Sequence, residues 1–150
     1  MTSILVVAAT VLTGLSAGLF ATFGYAVMPG LRRTDDAVFV QAMRAVNVAI
    51  LNPVFAVVLG GAFVVSVAAV VASWGTSAAP WLLASTLLYV VGAFVVTGVV
   101  NVPLNDALAE GDDVRSLRAA FERRWVASNH VRSALTTAAV VCAAIGATRV

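Results

Sequence analysis

Two carboxamide side chains, Asn101 and Asn105, lie where a strongly apolar stretch of the chain gives way to a polar one. Their spacing of four residues places both on one face of a helix. Pro103 between them has no N–H and leaves the carbonyl of Val99 without its usual helical donor. Because polar groups at the edge of the hydrocarbon are costly unless something meets them, the pattern predicts a polar chamber at a membrane boundary.

A second polar group precedes the last apolar run and would enter the membrane from the same side. In a helix, Trp125, Asn129 and Arg132 form one stripe, and His130 lies at its edge, rotated by about 100° from Asn129. An arginine at this depth faces protein or water and needs acceptors, which the two asparagines or the freed carbonyl would supply. Near neutral pH, His130 could also take a proton from a weak acid.

Two interpretations of these polar groups stay open: a structural network that joins two helices, or a pocket for a ligand or a reaction. The sequence pairs no serine or cysteine nucleophile with the histidine, and it has no His/Glu ligand set or glycine-rich phosphate loop. Haem, di-iron and hydrolase chemistry are therefore poorly supported, and we expect neither a metal nor a cofactor. Transport is also disfavoured, because no acidic residue lies within the apolar runs.

The elements that position these residues are membrane helices. Of the 150 residues, 61% are hydrophobic and 11% are charged, and the mean hydropathy is +1.01. A helix needs roughly twenty apolar residues to cross the hydrocarbon core, and four runs are long enough. The sequence predicts an all-α, polytopic membrane four-helix bundle as a single domain over residues 1–150. Its predicted transmembrane helices cover about 4–28, 54–74, 81–100 and 131–148.

Shorter elements are predicted at the membrane interface. The segment 35–51 is amphipathic, with Phe39 and Met43 at helical spacing and with Arg44 and Asn47 on a shared polar side. We expect it to be a short amphipathic helix on the cytoplasmic side. A charged helix over about 113–124 leads into the fourth span, and whether it joins that span without a break stays open. Asn52-Pro53 is typical of a helix start.

The charge pattern predicts the topology. All nine basic residues are arginine, and eight of them lie in or beside the first and third loops. The positive-inside rule then places loops 29–53 and 101–130 in the cytoplasm and both termini outside, in a multi-pass protein of the plasma membrane. Nearby acidic residues nearly cancel the arginines, so we expect no nucleic-acid partner. Glycines 14 and 18 have the small-xxx-small spacing, which favours close packing inside the bundle over a dimer seam and leaves a homo-oligomer open.

The pattern Asn101-x-Pro103-x-Asn105 followed by Trp125-x3-Asn129-x2-Arg132 resembles the anthrone oxygenase-like family of small four-helix membrane proteins. The spacing of Met28-Pro29, Asn47 and Asn52-Pro53 fits as well. The resemblance implies a cofactor-independent monooxygenase that oxidises a hydrophobic aromatic anthrone to a quinone with O2, beside the lipid bilayer.

The resemblance and the residue chemistry together give a set of expected site residues. An anthrone that loses a proton becomes an electron-rich phenolate, so the protein must supply a base and donors for the oxyanion. The expected catalytic residues are His130, Arg132, Asn105 and Asn129. The expected substrate-binding residues are Trp125, Asn101, Asn47, Asn52 and Arg44. The competing interpretations are a non-enzymatic scaffold or accessory subunit, whose polar cluster is mutually satisfied, and a protein that binds a quinone or lipid without turnover.

Overall fold

The computed structural model describes residues 2–150 and is all-helical over that range. Its five helices are α1 (Thr2–Leu31), α2 (Asp36–Ala49), α3 (Pro53–Ala72), α4 (Ala79–Glu110) and α5 (Val114–Ala147). All but α2 are long and apolar enough to cross a membrane. They form a ring in which α1 packs on α3 and α5, and α4 packs on the same two helices. The predicted all-α bundle with four membrane-length helices is confirmed.

The helices extend beyond the predicted apolar runs. The polar segments 101–110 and 114–130 are the continuous ends of α4 and α5, and the predicted charged helix joins the fourth span without a break. Only α2 is a short helix of its own. It buries Phe39, Val40 and Met43 against the polar ends of α4 and α5. The long helices therefore carry their own polar extensions out of the apolar bundle, and these extensions enclose the space in which the predicted polar groups meet.

Two of the long helices widen into a π turn directly before a proline. In α1 the N–H of Met28, the residue before Pro29, donates to the carbonyl five residues earlier. In α4 the N–H of Val102, before Pro103, donates to the Thr97 carbonyl in the same way. Because proline cannot donate to the preceding turn, the helix must rearrange its bonds there. The wider turn in α4 contains Asn101, and such turns are frequent at functional sites.

The short connections are fixed by side-chain caps. The Asp35 carboxylate accepts from the N–H of Val38 at 2.8 Å and begins α2. Asp113 begins α5, and its hydrogen bonds with Ser116 hold the pKa of this carboxylate below its ordinary value. Each cap satisfies a helix N–H group that has no partner within the helix.

Close helix packing occurs at glycines other than the predicted pair. A Cβ added at Gly14 or Gly18 would meet nothing within 4 Å, so the predicted packing of this motif inside the bundle is wrong. The α4–α5 contact instead uses Gly92, where an added Cβ would lie 2.9 Å from Leu135 Cβ and 3.4 Å from the Arg132 carbonyl oxygen. The small residue that matters is therefore the one that brings α4 against the turn of α5 carrying Arg132.

We expect Gly92→Ala to lower the free energy of unfolding by about 1–3 kcal/mol, the usual cost of overpacking a filled contact. Gly98→Ala is the matched control, because it lies on the same helix and its added Cβ would meet nothing within 4 Å. Detergent unfolding followed by tryptophan fluorescence would measure both. Equal stability of the two variants would contradict the packing role of Gly92.

Candidate functional site

A cavity of about 380 Å³ lies at the polar end of the bundle, and residues from all five helices line it. Its walls are largely apolar and include Phe20 and Phe23 of α1 and Phe55 of α3. Trp125 of α5 adds an indole that stacks on Phe121 with ring centroids 5.9 Å apart. Aromatic walls with a few placed polar groups are typical of sites for small apolar ligands.

The polar groups predicted from sequence largely converge on this cavity. It is lined by Arg44, Asn47, Asn101, Asn105, Trp125 and Arg132. The predicted stripe on α5 is also present, since Trp125, Asn129 and Arg132 are all buried. The two polar faces meet through Trp125 Nε1, which donates to Asn105 Oδ1 at 3.0 Å.

Arg132 is the central polar group of the cavity. Arg132 is only 6% exposed. No carboxylate of residues 2–150 lies within ion-pair distance of its guanidinium. The guanidinium carbon lies 4.4 Å from the Phe20 ring centroid and 5.3 Å from that of Trp125. Two aromatic faces thus provide the favourable contacts that a carboxylate would otherwise supply.

The hydrogen-bond partners of Arg132 differ from those predicted. One terminal nitrogen donates to Thr97 Oγ1 at 3.1 Å and the other to Asn129 Oδ1 at 2.7 Å. The expected bond to Asn101, Asn105 or a freed helix carbonyl is wrong. The wider turn brings the hydroxyl of Thr97 to the arginine. Val99, whose carbonyl was one of the expected acceptors, is 71% exposed.

Asn129 is a supporting residue behind the cavity and does not line it. Its Oδ1 accepts from Arg132, and its Nδ2 donates to the Phe20 carbonyl at 2.9 Å. Both ends of the carboxamide are therefore occupied, and the side chain fixes the guanidinium against α1. The structure thus gives Asn129 a positioning contact, and its direct catalytic role stays a prediction.

Three buried polar atoms of the lining residues find no hydrogen-bond partner among the described residues: Arg132 Nε, Asn101 Oδ1 and Asn47 Nδ2. The orientation of Asn101 follows from its neighbours, because its Nδ2 donates to Ser128 Oγ at 2.8 Å and that hydroxyl donates to the Trp125 carbonyl. Its oxygen is left as a free acceptor. Such groups cost free energy when unmet, and the lining holds two donors and one acceptor of this kind.

Two predicted site residues lie elsewhere. The exposed His130 lines a different depression on the other side of α5, where it packs against Gly24. Asn52 caps α3: its Oδ1 accepts from the N–H of Phe55 at 3.0 Å, and its Nδ2 donates to the Ala49 carbonyl. The structure therefore places neither side chain in the lining of the cavity beside Arg132.

Arg44 has a structural task as well as a place in the lining. Its Nε donates to the Leu108 carbonyl at 2.9 Å, and a terminal nitrogen donates to the Gly111 carbonyl. These bonds hold α2 against the end of α4 and so close one side of the cavity. The guanidinium is partly committed to the backbone, unlike that of Arg132.

The lining residues that the sequence did not single out include Phe20, Thr97 and Asp106. Thr97 lies four residues before Asn101, so the helical spacing that paired the asparagines could have found it. Asp106 follows Asn105 directly and is the one carboxylate of the described residues in the lining. Phe20 carries no signal in the sequence that separates it from other apolar residues of α1.

Metal ligands do not gather at this site. Within residues 2–150, no group of three His, Cys, Asp or Glu side chains is placed to hold an ion. The chemistry available to the cavity is that of a buried guanidinium, carboxamides and the carboxylate of Asp106, beside the indole ring of Trp125. This set can bind an oxyanion and exchange a proton.

A model of the anthrone oxygenase family matches residues 43–142 of the chain. No curated protein and no solved structure matches it. The matched stretch contains all nine side chains that the sequence singled out, including both asparagines of the opening motif and the arginine of the α5 stripe. Since the family model covers well over half of the 150 residues, the chain belongs to the anthrone oxygenase family.

Proposed function

We propose that the protein is an oxygenase that oxidises an anthrone-like aromatic to a quinone with O2 in the cavity beside Arg132. The single observation that carries the proposal is the buried guanidinium, which has no carboxylate partner and keeps a free Nε in an aromatic-walled cavity. A charge at this depth is costly unless something meets it. A flat aromatic substrate whose ketone oxygen becomes negative during the reaction would pair with the guanidinium and pack against the aromatic rings of the cavity wall.

The proposed reaction begins with loss of a proton. The methylene C–H of the anthrone breaks, the proton passes to a base, and the electron pair moves onto the ketone oxygen to give an anthrolate. Arg132 Nε and Asn47 Nδ2 are the free donors for that oxyanion, and Asn101 Oδ1 can accept from a ring hydroxyl. Preorganised donors at a developing negative charge commonly provide the largest part of catalysis.

The anthrolate itself is the reductant in the following step. It passes one electron to O2, and the resulting radical and superoxide join through a new C–O bond. The peroxide takes up a proton; then the remaining C–H proton leaves and the O–O bond breaks. One water is released, and the product quinone keeps one oxygen atom of O2. Atoms and electrons balance with the substrate and O2 alone, so the proposed reaction uses no cofactor.

Asp106 is the proposed base. It is the carboxylate that lines the cavity, whereas His130 opens into a separate depression. Asp106 is exposed at the mouth, so a proton accepted there can pass to water. The free donors of Arg132 and Asn47 are then left to bind the oxygen end of the same substrate.

The cavity also offers an apolar route to the membrane. Val48 and Leu51 belong to its lining and are 74% and 77% exposed. They lie at the end of α2, beside the start of a membrane-length helix. A hydrophobic aromatic and O2 both concentrate in lipid, so the proposed partners are the bilayer, an aromatic small molecule and O2.

The test is direct oxidation by purified, metal-stripped protein. Quinone formation and O2 consumption should both exceed the spontaneous rate of a simple anthrone, and ¹⁸O2 should label the new carbonyl. Binding of the anthrone or quinone without O2 consumption would favour the alternative of a quinone-binding protein. Folded protein that neither binds nor oxidises the anthrone would support the alternative of a scaffold.

The proposed location is the plasma membrane, with 29–53 and 101–130 in the cytoplasm and both termini outside. Seven of the nine arginines lie at the bundle end formed by α2 and the polar ends of α4 and α5: Arg32, Arg33, Arg44, Arg115, Arg118, Arg123 and Arg124. Such an excess is retained on the cytoplasmic side during insertion.

We expect an impermeant thiol reagent to label Ser77→Cys but not Asp112→Cys on intact cells, in a Cys142→Ala background. Both positions are exposed. Gly111 is unsuitable for this test, because an added Cβ would lie 2.7 Å from Leu117 Cδ2. Labelling of Asp112→Cys alone would reverse the orientation.

A further inference from the structure

A second depression, of about 880 Å³, lies between the end of α1 and the polar half of α5. Helix α5 separates this depression from the cavity beside Arg132, because His130 lines the depression and Arg132 lines the cavity. The oxidation proposed above makes no use of it. Its lining combines four arginines with an apolar floor, which is an unusual composition for a surface that serves only solubility.

The charges of the depression are unevenly paired. Arg118 is fully engaged: it donates to Glu122 at 2.8 Å, to Asp36 at 3.1 Å and to the backbone carbonyls of residues 32 and 34. Glu122 is the one carboxylate in the described lining. The side chains of Arg33 and Arg123 are exposed and make no hydrogen bond or ion pair with residues 2–150. Two cations, one from each wall, are therefore free.

The floor of the depression is apolar and leads to the membrane span. It includes the buried Met28 together with Pro29 of α1 and Val126 of α5. Tyr25, one turn before Met28, is 73% exposed, as aromatic residues at the membrane–water boundary commonly are. A ligand that fits must carry negative charge at one end and hydrocarbon at the other.

We infer that this depression binds one anionic phospholipid, with its phosphate between Arg33 and Arg123 and an acyl chain along the floor. Basic pockets between membrane helices bind anionic headgroups in this way. A soluble phosphate would satisfy the arginines but would leave the apolar floor uncovered. The charge complementarity and the continuity of the floor with the span both favour lipid.

The test uses the full chain in detergent, with phosphatidylglycerol and phosphatidylcholine of equal acyl length as probes. Native mass spectrometry should show preferential retention of phosphatidylglycerol. The double variant Arg33→Gln/Arg123→Gln should weaken that retention by about 10–30-fold, since each basic residue near a membrane surface contributes roughly 1 kcal/mol. Arg115→Gln/Arg124→Gln is the matched control, because both side chains are exposed on α5 and neither lines the depression.

Each outcome decides the inference. Loss of phosphatidylglycerol retention in Arg33→Gln/Arg123→Gln alone supports the inference. Equal loss in both double variants would show a diffuse charge effect and overturn the site. Inorganic phosphate that displaces the lipid at low concentration would show a soluble ligand and overturn the lipid assignment. Thermal unfolding of both variants without lipid checks that neither change disturbs the bundle.

Discussion

Asp106→Asn is expected to lower turnover of an anthrone by about 10²–10⁴ near neutral pH, the usual contribution of a general base. The carboxamide keeps the shape of the side chain but cannot accept the substrate proton. The deficit should shrink as the pH rises, because an anthrone ionised by hydroxide in solution needs no base from the protein. Stopped-flow absorbance at a series of pH values measures both effects.

Asp112→Asn is the matched control for this variant. Asp112 is an exposed carboxylate in the connection between α4 and α5, outside the cavity lining. His130→Ala tests the base favoured by the sequence and should have a small effect, because the imidazole opens into the second depression. A large loss in His130→Ala with none in Asp106→Asn would return the base role to the histidine.

Arg132→Met is expected to lower turnover by about 10²–10³, as loss of an oxyanion donor does in other enzymes. Methionine retains much of the apolar stem and its contact with the rings, but it cannot donate to the anthrolate oxygen. The fall should appear in kcat more than in KM, because the charge develops after binding. Steady-state O2 consumption over a range of anthrone concentrations separates the two constants.

The control for Arg132→Met is Arg124→Met, which makes the same change at an exposed position of the same helix. Arg132→Met also leaves Thr97 Oγ1 and Asn129 Oδ1 without their donor. Unfolding in detergent must therefore be measured beside turnover, and Thr97→Val provides a second variant that removes an acceptor but keeps the guanidinium. Full activity of folded Arg132→Met would contradict the proposed oxyanion role.

The sequence predicted the bundle because long apolar runs have few alternatives in a membrane. It also predicted that Asn105 and Trp125 would converge, since helical phase and the side of entry define their faces. It could not fix the partners of Arg132, because the π turn before Pro103 changes the phase of α4 and presents Thr97. It also could not tell that the His130 side chain lies on the side of α5 away from the cavity, because this depends on the position of α1, whose Gly24 leaves room for the imidazole.

Burial of Arg132 bears on how the protein is made. Of the four membrane-length helices, α5 is the least apolar and the last to leave the ribosome. An arginine carried into the hydrocarbon on a lone helix opposes membrane insertion, by about 2.5–3.5 kcal/mol at the centre of the span and by less towards its ends. The groups that shelter it, the Phe20 ring and the Thr97 hydroxyl, belong to helices synthesised earlier. We therefore expect entry of α5 into the bilayer to depend on prior assembly of α1 and α4, so that the buried charge would order biogenesis from the N-terminus to the C-terminus.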